Sequence, residues 1–153
     1  MASPNTPFLS GAVLTAAQMN DIPFGLSKTV TSTSTQSIGG GAAQDVTSLT
    51  VSASLVLNRA YMAIVTIACG APGSGTANLN FRVSYGAANT EYQSICLPTG
   101  NTGATNLNGQ FYFVATATAA TTVKVQGFAI SQACALLGTT NAHRLTIIDL
   151  GSV

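Results

Sequence analysis

From residue 28 to the end of the chain, apolar and polar positions alternate with period two, the repeat of a strand that buries one face. The pattern is clearest over 78–85, where Leu79, Phe81, Val83 and Tyr85 fall on one side and Asn78, Asn80, Arg82 and Ser84 on the other. Residues 46–57 alternate in the same way, with Leu49, Val51, Ala53, Leu55 and Leu57 set against Thr50, Ser52 and Ser54. Residues 60–69, AYMAIVTIAC, are apolar on both sides, which predicts a strand at the centre of a sheet. Residues 28–38, KTVTSTSTQSI, are β-branched but carry little apolar alternation, which predicts an edge strand. Further strands are expected over 91–97 and 143–150. Residues 110–118 and 122–130 predict a pair joined around Ala119-Ala120-Thr121. Gly39-Gly40-Gly41 and the GAPGSG stretch at 70–75 break the pattern, and the Pro-, Thr-, Gly- and Asn-rich residues 98–109 predict a long loop. Residues 131–142 fit no single element.

About eight short strands, separated by turn signals and with no long helix, predict an all-β fold: an antiparallel β-sandwich or jelly-roll-like domain over residues 27–153. The first 26 residues read differently. Ser3, Pro4, Pro7 and Gly11 predict an extended arm. Thr15 and Gln18 stand at capping-box spacing before Pro23, which predicts a short helix over 14–21. Phe8, Leu14, Met19, Ile22 and Phe24 give this arm apolar anchors but no core of its own, so it needs a surface to lie on: its own sandwich or a neighbouring subunit.

Composition sharpens the picture at one point. Charged residues are 6% of the chain while apolar residues are 46%; an ordinary domain has about 25% charged residues. Disordered chains are the reverse, poor in apolar residues and rich in charge. A surface of Ser, Thr, Asn and Gln with a formal net charge of +1 repels its neighbours little, which suits a protein packed into an assembly. The five cations, Lys28, Arg59, Arg82, Lys124 and Arg144, are scattered. Nucleic acid needs several on one face to release counterions, so no nucleic-acid partner is expected. No apolar run approaches the roughly 18 residues of a membrane span, and the N-terminus lacks a signal-peptide pattern, so neither a membrane association nor secretion is expected.

Candidate chemistry is sparse. The acids are Asp21, Asp45, Glu91 and Asp149, and nothing in their spacing pairs them for general acid and base work. His143 and Asp149 share one side of a strand but stand about 20 Å apart at roughly 3.3 Å per residue, too far for a triad. No GxSxG elbow, P-loop lysine or CxxC pair is present. Cys69, Cys96 and Cys134 are odd in number and far apart, and they read as buried free thiols, with one disulfide and a leftover thiol as the alternative. No enzyme, no cofactor and no metal site is expected. Tyr85 and Tyr92 flank one turn and are the aromatic pair best placed to bind a surface ligand such as a host glycan.

One stretch carries a resemblance. FLSGAVLTAAQMNDIPFGL, residues 8–26, resembles the N-terminal segment of small virion proteins of siphophages, in particular those of actinobacteria: an aromatic, a turn ending in Gly, then V-L-T-A-A-Q-M-N, Ile-Pro and Gly. Phe8, Gly11, Val13 to Asn20, Ile22, Pro23 and Gly25 match that pattern; Ala12 stands where Glu is usual and Phe24 where Arg or Lys is usual. RLTIIDLGSV, residues 144–153, is similar to the ending of the same proteins. The two stretches cover about 30 residues, and between them only Ser/Thr-rich β character is shared. The resemblance implies a minor tail protein or capsid decoration: a small sandwich, trimeric, made in the host cytoplasm, and attached to a tail or capsid neighbour through its N-terminal arm.

Overall fold

The computed structural model describes residues 25–70, 77–97, 105–130, 132–139 and 142–153, and in them every regular element is a strand. In chain order these are β1 Gly25–Ser32, β2 Thr35–Ile38, β3 Gln44–Leu55, β4 Arg59–Cys69, β5 Ala77–Tyr85, β6 Ala88–Asn89, β7 Gln93–Leu97, β8 Thr105–Val114, β9 Ala119–Ile130, β10 Cys134–Leu137 and β11 His143–Ser152. The expected 14–21 helix lies outside the described residues.

Two antiparallel sheets face each other. In the first, β11 and β10 lie end to end along one edge of β4, through Arg144↔Thr66 to Ser152↔Arg59 and through Leu136↔Cys69. β1 pairs β11, β2 pairs β10, and β8 runs the length of β4 on its other edge. In the second sheet the order is β3-β9-β5, with β6 and β7 sharing the far edge of β5. Each sheet is thus four positions wide. The chain crosses between sheets at β2–β3, β3–β4, β4–β5, β7–β8, β8–β9 and β9–β10. That connectivity is the jelly roll, the double Greek key of eight strand positions.

The core lies where the inner faces meet. Leu49, Tyr61, Val65, Leu79, Phe81, Val125, Leu145 and Ile147 are wholly or almost wholly buried, each worth roughly 1.5–3 kcal/mol relative to exposure. β8 shows the alternation without a break, with Leu107, Gly109, Phe111 and Phe113 inward and Asn108, Gln110, Tyr112 and Val114 outward. β4, expected to be central, is bounded on both edges. The expected edge strand over 28–38 is an edge, divided into β1 and β2.

Two expectations are corrected. Residues 105–109 are the first half of β8, not loop, because Leu107 and Gly109 face the core while Asn106 and Asn108 face out. The polar composition that signals a loop is here the solvent side of a strand. Residues 110–118 and 122–130 also do not form a hairpin: β8 belongs to the first sheet and β9 to the second. Both strands have an apolar face that must point inward. Crossing the sandwich lets each bury that face against the other sheet.

Candidate functional site

The ionisable side chains were the first candidates for chemistry, and the fold uses the buried ones as structure. β11 ends in a bulge: the register with β4 shifts between Asp149 and Gly151, and Gly151 takes φ 107°, a backbone that favours glycine. The Gly151 N–H donates to Asp149 Oδ1 at 2.9 Å. Asp149 also accepts from Arg59 Nε, at 2.9 and 3.1 Å, and from Arg59 Nη2 at 2.8 Å. Both side chains are 4% exposed. The Asp-Leu-Gly of the sequence is therefore a buried clamp between the start of β4 and the end of β11.

His143 opens β11 and is fully buried. Its Nδ1 accepts from the Ala68 N–H at 3.3 Å, and Nε2 meets no partner of good geometry among the described residues. Burial lowers its pKa from the usual 6.5, and the nearby Ser34 backbone opposes that shift. Cys69 and Cys134 are buried free thiols. Burial, with a further contribution from Cys134, pushes Cys69 up to about 12, so it stays protonated and unreactive. Burial raises Cys134 as well. The side chain of Cys96 lies outside the description. Among the described residues no three His, Cys, Asp or Glu side chains converge to hold a metal ion.

The outer face of the second sheet carries a linked set of half-buried charges. Lys124 Nζ lies 2.6 Å from Asp45 Oδ2, and Gln126 Nε2 donates to Asp45 Oδ1 at 2.7 Å. These two bonds hold the Asp45 carboxyl below its usual pKa against a smaller effect of burial. Gln126 Oε1 accepts from Arg82 Nε at 3.0 Å. The Arg82 guanidinium sits 4.9 Å from the Tyr92 ring centroid, and Tyr92 meets Phe128 edge-on at 5.1 Å. Asn80, on the same face, takes a hydrogen bond from Ser94 while its Nδ2 is buried without a partner among the described residues.

Tyr85 and Tyr92, the two aromatics singled out in the sequence, lie on opposite faces of this sheet. Tyr85 turns inward and stacks on Phe113 at 4.3 Å; Phe113 stacks in turn on Tyr61 at 5.6 Å. Tyr85 also lines an uncharged pocket of about 370 Å³ with Leu55, Ala88, Ala115, Thr116 and Thr121. The arm residues Phe8, Leu14, Met19, Ile22 and Phe24 lie outside the described residues. Sequence reasoning missed the Arg59–Asp149 clamp. Its one local signal is the Asp-x-Gly spacing at a strand end, where a bulge lets the carboxylate reach back to the glycine N–H.

No family model matches the chain, and no curated protein does. Among solved structures it is similar to Eiger TNF from S. frugiperda, with 9% identity, 84% of this chain and 95% of that one covered, and a TM-score of 0.43. It is also similar to the PRD1 vertex protein P5, with 18% identity, 83% and 99% covered, and a TM-score of 0.43. Both likenesses are loose, and no role passes from either protein to this chain.

Proposed function

We propose that this chain is a non-enzymatic structural protein of a bacteriophage particle, a small trimeric appendage or decoration of tail or capsid held by its N-terminal arm. One observation supports this above the others. The last residues of the first stretch that resembles siphophage virion proteins, Gly25 and Leu26, pair with Asp149 and Ile148 of the second along β1 and β11. Gly25 thus lies beside the Asp149–Gly151 bulge that the Arg59 pair holds. Deleting residues 1–26 is expected to abolish incorporation into particles while the β-domain keeps its strand signature by circular dichroism. Particles that take up the truncated protein at the normal level sink the proposal.

The Tyr85 pocket favours a second reading, a module that binds a host-surface glycan. The pocket is uncharged, and its lining includes one aromatic, a residue type that packs against neutral sugar rings. Binding to host cells or to a glycan array that survives loss of the arm, and is lost in Tyr85→Ala, would support it.

A further inference from the structure

The outer face of the second sheet holds a cation without an acid. Arg59 is paired with Asp149 and Lys124 with Asp45, whereas Arg82 is in no ion pair among the described residues. Lys28 and Arg144 are exposed and keep their water, but Arg82 is half-buried. A cation partly withdrawn from water is costly unless an anion or enough acceptors compensate it.

The position of Arg82 is set from two sides. In register, Asp45 on β3, Gln126 on β9 and Arg82 on β5 form one row across the sheet. Both neighbours orient the Gln126 amide: its Nε2 donates to Asp45 Oδ1 at 2.7 Å, and its Oε1 accepts from Arg82 Nε at 3.0 Å. The Tyr92 ring lies against the guanidinium from the other direction, at 4.9 Å. A guanidinium grips a carboxylate bidentately either along its Nε edge or at its Nη pair. Gln126 occupies the first, so the Nη pair is what Arg82 presents. Those two nitrogens make no hydrogen bond among the described residues.

Donors and acceptors on this face do not balance. Both oxygens of Asp45, the Gln126 oxygen and the Asn80 oxygen are taken, by Lys124, Gln126, Arg82 and Ser94. The groups left unmet are N–H donors: the Arg82 Nη pair and, two residues away on the same side of β5, Asn80 Nδ2. Asn80 Nδ2 is enclosed, so it adds to the donor excess without touching a ligand. Such a surface calls for acceptors and negative charge. Two coplanar oxygens match the two parallel N–H bonds of the fork, which selects a carboxylate. Glu91, next to Tyr92, is exposed, and water screens its repulsion of an anion.

What carries the carboxylate follows from what flanks the fork. The backbones of β5 and β9 are paired on both edges, so a peptide finds no strand to join there. Side chains alone are on offer: the ring of Tyr92, 39% exposed, and the exposed polar groups of Asn78 and Ser94. An aromatic beside amide and hydroxyl groups suits a pyranose ring and its hydroxyls. We infer that Arg82 and Tyr92 form a binding site for a carboxylate-bearing sugar, such as a uronic acid within a polysaccharide. The site lies on the opposite face of the sheet from Tyr85. It goes beyond the appendage reading and does not depend on the arm.

Calorimetric titration of the full chain with the galacturonic acid trimer tests it. The acid is expected to bind at millimolar concentration, and its uncharged methyl ester at least about tenfold more weakly. Arg82→Gln is expected to weaken binding of the acid by at least about tenfold. Arg82→Lys keeps the charge but not the fork and is expected to fall between Arg82→Gln and the parent. Arg144→Gln, which removes an exposed cation from the other sheet, and Tyr85→Ala are expected to bind as the parent does. Thermal melts report whether each variant is folded. No binding of the acid, equal binding of the ester, or a folded Arg82→Gln that binds like the parent overturns the inference. So does a folded Arg144→Gln or Tyr85→Ala that loses binding as fully as Arg82→Gln. Inorganic phosphate that binds more tightly than the trimer overturns the assignment to a carboxylate, and a triglutamate peptide that binds as tightly overturns the assignment to a sugar.

Discussion

Arg59 and Asp149 show how a single pair sets the local structure. Each gives up water for the other, and the pair lies where β11 departs from regular register with β4. Removing one partner leaves a buried charge uncompensated, which costs about 3–5 kcal/mol. Asp149→Ala and Arg59→Ala are each expected to fall in that range by urea unfolding. Arg59→Leu with Asp149→Leu is expected to cost clearly less than the sum of the single changes. Strict additivity would show that the two side chains act separately. His143 adds a pH dependence. Its folded-state pKa is lowered, so below about 6.5 the unfolded chain takes up a proton that the native core resists. Stability is therefore expected to fall as pH drops below 6.5, by at most about 1.4 kcal/mol per pH unit for the one proton. His143→Gln should flatten that slope between pH 6.5 and 5; an unchanged slope there would place its origin elsewhere.

At the scale of the strand, close approach matters as much as alternation. Gly127 faces inward on β9, and a Cβ placed there would lie 2.6 Å from Phe81 Cε1. The glycine is what lets the Phe81 ring lie against the β9 backbone. Gly127→Ala forces ring or strand to move and is expected to cost about 1–3 kcal/mol, read as a lower melting temperature. A melting temperature equal to that of the parent would mean that the ring has room to shift. Alternation made β3, β4, β5 and β11 legible to within a few residues of their ends. It located β8 poorly, because Asn106, Asn108 and Gln110 fill the solvent side of that strand with residues that also mark loops. The alternation over 46–57 is offset in the structure. The β3–β9 register shifts between Asp45 and Thr50, and Leu57, placed with the core set, is 47% exposed in the turn that follows.

At the scale of the molecule, two four-position sheets bury one continuous core; outside it, one sheet carries the Asp45–Lys124 pair with Arg82 against Tyr92, and the other carries the exposed Tyr112 and Val114. Several things followed from the sequence alone. Period two in the apolar positions requires strands with one inward face. Low charge with ample apolar content requires a folded, weakly charged surface. The scarcity of acids, bases and clustered cations left little to assemble into chemistry. The Cys69 thiol was legible as buried because it sits in an apolar strand-like run; Cys134 fell in a stretch that fits no single element. Pairing was not legible, because which strands adjoin depends on how each apolar face finds cover, and that cover comes from distant parts of the chain. Tertiary structure alone therefore put β8 and β9 in opposite sheets, brought Arg59 to Asp149 across 90 residues, and set Tyr85 and Tyr92 on opposite faces. It also aligned Asp45, Gln126 and Arg82, from three separate stretches of sequence, into one row.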